Sequence, residues 1–153
     1  MKQASLIIIG DKILSGRTED KNLAYLANWL GKLGIHLSEV RVVLDDESAI
    51  IEAVKNLRVK YDYVFTTGGI GPTHDDITTE CVAKAFGVET RIDDDALGKM
   101  KAFFEGKELT EPLLKMLRIP YTPRAATLVT RKHISIRVER WLGTSLEPIA
   151  PLQ

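Results

Sequence analysis

The segment Thr66-Thr67-Gly68-Gly69-Ile70-Gly71-Pro72-Thr73-His74-Asp75-Asp76-Ile77-Thr78 gathers residue types that handle phosphate. Glycines at 68, 69 and 71 let the backbone approach an anion closely and turn its N–H groups onto it. Thr66, Thr67 and Thr73 add hydroxyl donors, and Asp75 and Asp76 add carboxylates that can hold a divalent cation. Thr78 or Thr79 suits the N-cap of a following helix. This is the chemistry of a phosphate-bearing ligand, with a cation neutralising phosphate and carboxylate together. A plain strand-to-helix turn needs one or two glycines and would use Asp75 and Asp76 only as favourable charges near a helix N-terminus. The added proline, hydroxyls and third glycine exceed that need. No Lys-Ser/Thr pair follows the glycines, so this is not a Walker loop, and the glycine spacing does not fit the dinucleotide fingerprint. His74 is read equally as a phosphate ligand or acid–base group and as an exposed loop residue with no role.

Two earlier segments carry similar residues. Gly10, Asp11, Ser15, Gly16, Asp20 and Asn22 follow the apolar run Leu6-Ile7-Ile8-Ile9, and Asp45 and Asp46 follow Ile35 to Leu44. If both runs are parallel strands, their loops share one sheet edge with the glycine loop, and carboxylates from three loops converge there. Crowded like charges cost stability unless a cation offsets them. Taken alone, Asp45 reads better as a helix-start residue facing water. Asp46 and Asp76 together read as functional.

The elements that would position these residues follow in order. Leu6 to Ile9 suits a strand buried on both faces, and Gly10 to Asp20 a polar loop. Leu23, Leu26, Ala27, Leu30 and Leu33 have helical spacing from Asp20 or Lys21 onward, with Gly34 as the stop. Ile35–Leu44 is a second strand. Asp45 to Ser48 opens a helix to about Arg58, and Tyr61–Thr66 is a third strand. The order β-loop-α-β-α-β-loop-α argues a parallel sheet with helices on both faces. Glu80–Phe86 follows as a helix and Val88–Ile92 as a short edge strand. Asp93 to Asp95 cap a helix from Ala96 to Glu105, an acidic helix start being commoner than a metal site. A further helix runs from Leu109 or Thr110 to Leu117, with Pro112 in its first turn. Ala125–Thr130 and Ile134–Val138 read as strands, and Arg131–Arg140 is unusually basic. Residues 1–120 form the main α/β unit, and 121–153 are a C-terminal segment of the same domain.

The chain has 153 residues and zero formal net charge. That length suits one domain with its own core, and with no basic stripe interleaved with aromatics no nucleic-acid partner is expected. Cys81, the single cysteine, excludes an intrachain disulfide and a thiolate zinc cage, and its place in a helix suggests burial. His36 and His133 read as structural or surface residues. No apolar run has membrane-spanning length, so no membrane partner is expected. The four apolar residues after Ser5 are too few for a signal peptide, and the cytoplasm is the expected compartment.

The run Thr66–Thr78, joined to Gly10-Asp11, Ser15-Gly16, Asp20-Lys21-Asn22 and Asp45-Asp46-Glu47, resembles the molybdopterin-binding domain family of molybdenum-cofactor biosynthesis. The resemblance covers about residues 4 to 120. With Gly-Asp-Lys-Ile-Leu-Ser-Gly near the start, the chain is most similar to the N-terminal domain of competence/damage-inducible protein A. It also resembles the domain fused to some eukaryotic FAD synthases. This implies a three-layer α/β/α fold around a mainly parallel sheet, often a homo-oligomer with a trimer favoured. It implies a pterin or nucleotide ligand, here molybdopterin as ligand or substrate, with Mg or another divalent cation. Carried over by position, Asp46 and Asp76 are the catalytic and metal-holding acids. Gly68, Gly69 and Gly71 give backbone donors to the pterin phosphate, and Ser15, Asp20, Thr67, Thr73 and Thr78 line the pocket. Gly10, Asp11, Gly16, Asn22, Pro72 and Asp75 complete the ligand-binding set.

Three functions are open under this resemblance. One is binding of a phosphorylated pterin, with adenylylation by ATP and Mg. The second is metal-dependent hydrolysis of a nucleotide pyrophosphate of the ADP-ribose type, with water as nucleophile. The third is a non-catalytic oligomeric module. The family's late Pro-x-Gly-Ala…Asn-Pro…Ala-Pro-Gly segment begins similarly at Tyr121–Leu128, but Arg131–Arg137 departs from it. A divergent, truncated or frame-shifted end is therefore expected, and with it a less complete closure of the pocket.

Overall fold

The computed structural model describes residues 1–121 and the strand at 133–135. β1 (Lys2–Ile9) is the hub, buried from Ala4 onward. Its side chains alternate between two cores, as strand geometry requires. Ile7 and Ile9 pack with Val64 against Ile50, Val54 and Leu57 of α3 (Glu47–Lys60) and Cys81 and Val82 of α4 (Thr78–Phe86). Ala4, Leu6 and Ile8 pack with Phe65 against Leu26 and Leu30 of α2 (Asn22–Lys32). A continuous apolar run thus becomes the middle of three layers, with α2 on one face and α3 and α4 on the other.

β1 pairs in parallel with β2 (Ile35–Val43) and with β3 (Tyr63–Thr67). A fourth parallel strand, which we label β6 (His133–Ser135), pairs with β3, so the order is β2-β1-β3-β6. The mainly parallel α/β/α architecture expected from the sequence is therefore present. Of the two late strands expected, one is represented by β6. Ala125–Thr130 and the rest of the basic run lie outside the described residues.

Between α4 and β6 the chain builds a small second lobe. β4 (Glu89–Ile92) pairs antiparallel with β5 (Arg118–Tyr121), and between them run α5 (Asp94–Phe103) and α6 (Glu111–Lys115). The strand near Val88–Ile92 therefore joins a separate ribbon and not the edge of the main sheet. β5 was not anticipated, because Pro120 in a four-residue run argues against a ladder strand. Arg91 stacks 3.7 Å from the Tyr121 ring centroid across this ribbon.

Three local expectations need correction. The Gly10–Asp20 stretch begins with a short helix, α1 (Asp11–Leu14). The N-cap position of α4 is Ile77, and neither Thr78 nor Thr79 caps it, because the Thr78 hydroxyl is drawn to the Gly68 carbonyl at 2.8 Å. The third is Asp45, described below. Asp93 caps α5 as expected, accepting from the Ala96 amide. Cys81 is buried, and burial first, then nearby Glu47, pushes its thiol up to about 11. No described helix is long and apolar enough to cross a membrane.

Candidate functional site: the glycine loop and its acids

The β3 strand ends at buried Thr67, and the chain then turns through Gly68 (φ 89°) and Gly69 (φ 63°). Both glycines are required. A Cβ on Gly68 would lie 2.0 Å from the Ile9 carbonyl oxygen, and one on Gly69 would lie 2.3 Å from Thr78 Oγ1. The turn is closed onto α4 by two bonds. The Thr78 amide donates to the Gly69 carbonyl at 3.0 Å, and its hydroxyl donates to Gly68. Thr78 itself is fully buried, so this clasp is sheltered from water.

Further along, Asp76 closes the loop on itself. Its Oδ2 accepts from the Thr73 amide at 3.0 Å and the Thr73 hydroxyl at 2.7 Å, and the Gly71 amide also bonds to it. Burial disfavours the Asp76 charge. The Thr73 and Gly71 donors and the Lys115 ammonium outweigh burial and hold the carboxyl below the usual carboxylate range. Lys115, on α6, donates to the Thr73 carbonyl. It was missed in the sequence, where a lysine in a short late helix carries no signal. Pro72 lies at the mouth of a wider cleft with Lys115. His74 and Asp75 are highly exposed and pair with each other at 3.0 Å.

The second loop divides its two acids. Asp46 caps α3, its Oδ2 accepting from the Ala49 amide at 3.0 Å. Asp45, expected to face water, is half-buried, with Oδ1 3.2 Å from the Cβ position of Gly69. Its backbone is held there by the first loop, because the Asp45 amide donates to Asp11 Oδ1 at 2.9 Å. Burial raises the Asp45 carboxyl, and the charges of Asp11, Asp76 and Asp75 add to that, against the Asp11 backbone bond. Three loops do therefore bring acids to one edge of the sheet. Gly10, whose amide donates to the Val43 carbonyl at 3.0 Å, ties the first loop to the second.

The rest of the first loop is tied to itself. Ser15 Oγ donates to the Lys12 carbonyl, the Gly16 amide donates to Ile13, and Asp20 accepts from the Leu23 amide at the start of α2, where Asn22 is the first helical residue. These bonds stay within the segment.

Among the described residues, no three His, Cys, Asp or Glu side chains form a ready cation cage. The donor set at the loop still suits magnesium, which is commonly held by one or two carboxylates and completed by phosphate and water. Asp45, whose charge is disfavoured first by burial and then by its acidic neighbours, and Asp76 would hold it.

A family model described as "Probable molybdopterin binding domain" matches residues 5–140. Protein Ta0487 of Thermoplasma acidophilum is 42% identical over 120 residues, 78% of this chain and 47% of that protein. The Probable FAD synthase of Caenorhabditis elegans is 43% identical over 94 residues, 61% of this chain and 18% of that one. The crystal structure of the protein CinA with unknown function from Thermoplasma acidophilum matches with a TM-score of 0.70 at 41% identity, covering 78% of this chain and 70% of that one. This chain thus spans about half the length of Ta0487 and a smaller share of the FAD synthase. The glycine loop, the acids around it and the matched span lead to one conclusion: the chain belongs to the molybdopterin-binding domain family and is CinA-like.

Proposed function

We propose that this domain binds a phosphorylated pterin of the molybdopterin type at the Gly68–Asp76 loop, together with magnesium or another divalent cation. The observation that carries this reading is the place of Asp45 and Asp76 beside a glycine turn closed on a buried threonine. The backbone of Gly68 and Gly69 faces the phosphate, the Gly71 amide being taken by Asp76, and Thr73 and Thr78 fix the turn. A cation bound between the acids would neutralise the phosphate and polarise the phosphoryl group. We assign to Asp45 the metal-holding role that the sequence gives to Asp46, since Asp45 lies against Gly69 while Asp46 is turned to the start of α3. With ATP as second substrate, an oxygen of the pterin phosphate would attack the α-phosphorus of ATP, the bond from that phosphorus to the bridging oxygen would break, and pyrophosphate would leave. The protein would contribute positioning and electrostatics, with no covalent intermediate. Assembly as a homotrimer belongs to the same reading.

A second reading is hydrolysis of a nucleotide pyrophosphate such as ADP-ribose, with water replacing the pterin phosphate as nucleophile. The CinA-like kinship favours it. Incubation with ATP plus molybdopterin, and separately with ADP-ribose, each with and without Mg2+, distinguishes the two by product. A ligand at a hundred times its Kd adds about 2.7 kcal/mol of stability, so binding alone is visible as a rise in Tm. No rise with either ligand would reject both in favour of a non-catalytic module.

A further inference from the structure

Lys115 stands where two cavities meet. It lines the narrow pocket with Gly69, Gly71 and Asp76, and the wide cleft with Pro72 and His74. It belongs to the second lobe, yet its Nζ donates to the Thr73 carbonyl in the loop of the first. An incoming phosphate meets negative charge there, since Asp76 lines the narrow pocket and Asp45 lies against Gly69. A lysine ammonium carries three N–H donors on a flexible stem. One is on Thr73, which leaves donors for an anion at the pocket mouth.

Building on the proposed function, we infer that Lys115 is a phosphate-binding residue supplied by the second lobe, pairing with an organic phosphate or diphosphate seated on the glycine loop. The ligand then bridges both lobes, with its phosphate at the loop and its organic part in the cleft. Pro72, His74 and Pro112 line that cleft, with Lys115 at its junction with the loop.

The test is calorimetric titration of wild type, Lys115→Met and Lys115→Arg with inorganic pyrophosphate, ADP-ribose and a phosphorylated pterin. We expect Lys115→Met to weaken the anions that wild type binds about tenfold, and Lys115→Arg to restore most of that loss. The 31P resonance of the bound ligand should also move in Lys115→Met, which a purely structural tie to Thr73 does not require. A loss confined to ADP-ribose or to the pterin supports the inference and identifies the source of the phosphate. Undiminished affinity in Lys115→Met, or an unmoved 31P resonance, overturns the role of Lys115 alone. Failure of wild type to bind any of the three overturns the proposed function with it.

Discussion

Asp11 and Asp45 hold each other by a reciprocal clasp: the Asp45 amide donates to Asp11 Oδ1, and the Asp11 amide donates to the Asp45 carboxylate. This contact fixes the second loop against the first and brings Asp45 to Gly69.

The surroundings of Asp45 set a pH dependence that the clasp only partly offsets. Burial and its acidic neighbours raise Asp45 above the ordinary value of 3.8, so the folded state holds this proton more tightly than the unfolded chain. Its stabilising contribution is present below 3.8 and is lost as pH rises through the raised value. Asp45→Asn should therefore match wild type in acid and exceed its Tm at neutral pH. Asp76 has the opposite sign. Its lowered carboxyl stabilises above 3.8 and loses that contribution as pH falls through the lowered value. Asp76→Asn should be less stable than wild type at neutral pH and converge with it in strong acid. Thermal melts from pH 2 to 8 read both differences, and equal signs for the two variants would contradict this account.

Asp45 and Asp46 should separate by function. Asp46→Ala removes an N-cap and should cost about 1 kcal/mol while leaving ligand affinity unchanged. Asp45→Asn should instead abolish the magnesium-dependent part of binding. Chemical denaturation and titration with and without Mg2+ measure the two effects. If Asp46→Ala were the variant that lost magnesium dependence, the assignment would reverse.

Glycine substitutions should rank by what the new Cβ meets. Gly68→Ala combines positive φ with a 2.0 Å approach to the Ile9 backbone, and should cost about 3 kcal/mol or more. Gly16→Ala has φ 73° but no atom within 4 Å, and should cost about 1 kcal/mol. Urea midpoints of the two variants test the order.

Thr78→Val keeps the shape of a fully buried side chain and removes its bond to the Gly68 carbonyl. The orphaned carbonyl should cost about 1–2 kcal/mol. Hydrogen exchange should locate the loosening in residues 68–71, and a Tm equal to wild type would show that the hydroxyl is dispensable.

Much of this was legible before any coordinates. The apolar run of β1, the helical spacing of α2 and the glycine loop have local signals that agree with their final environments. Asp45 is the instructive failure. Adjacent in sequence and identical in type, Asp45 and Asp46 part ways because Asp45 is clasped by Asp11, 34 residues earlier, while Asp46 caps α3. Lys115 was invisible for the same reason, since Thr73 lies 42 residues away. Strand β5 was hidden by Pro120, which a two-stranded ribbon tolerates and a central strand would not.

β3 lies inside the sheet only because the chain leaves, builds the second lobe and comes back as β6. Severed ahead of His133, the molecule would keep its glycine loop but hang it from a raw, sticky margin at Val64–Thr66, inviting another molecule's strand to take the vacated lane.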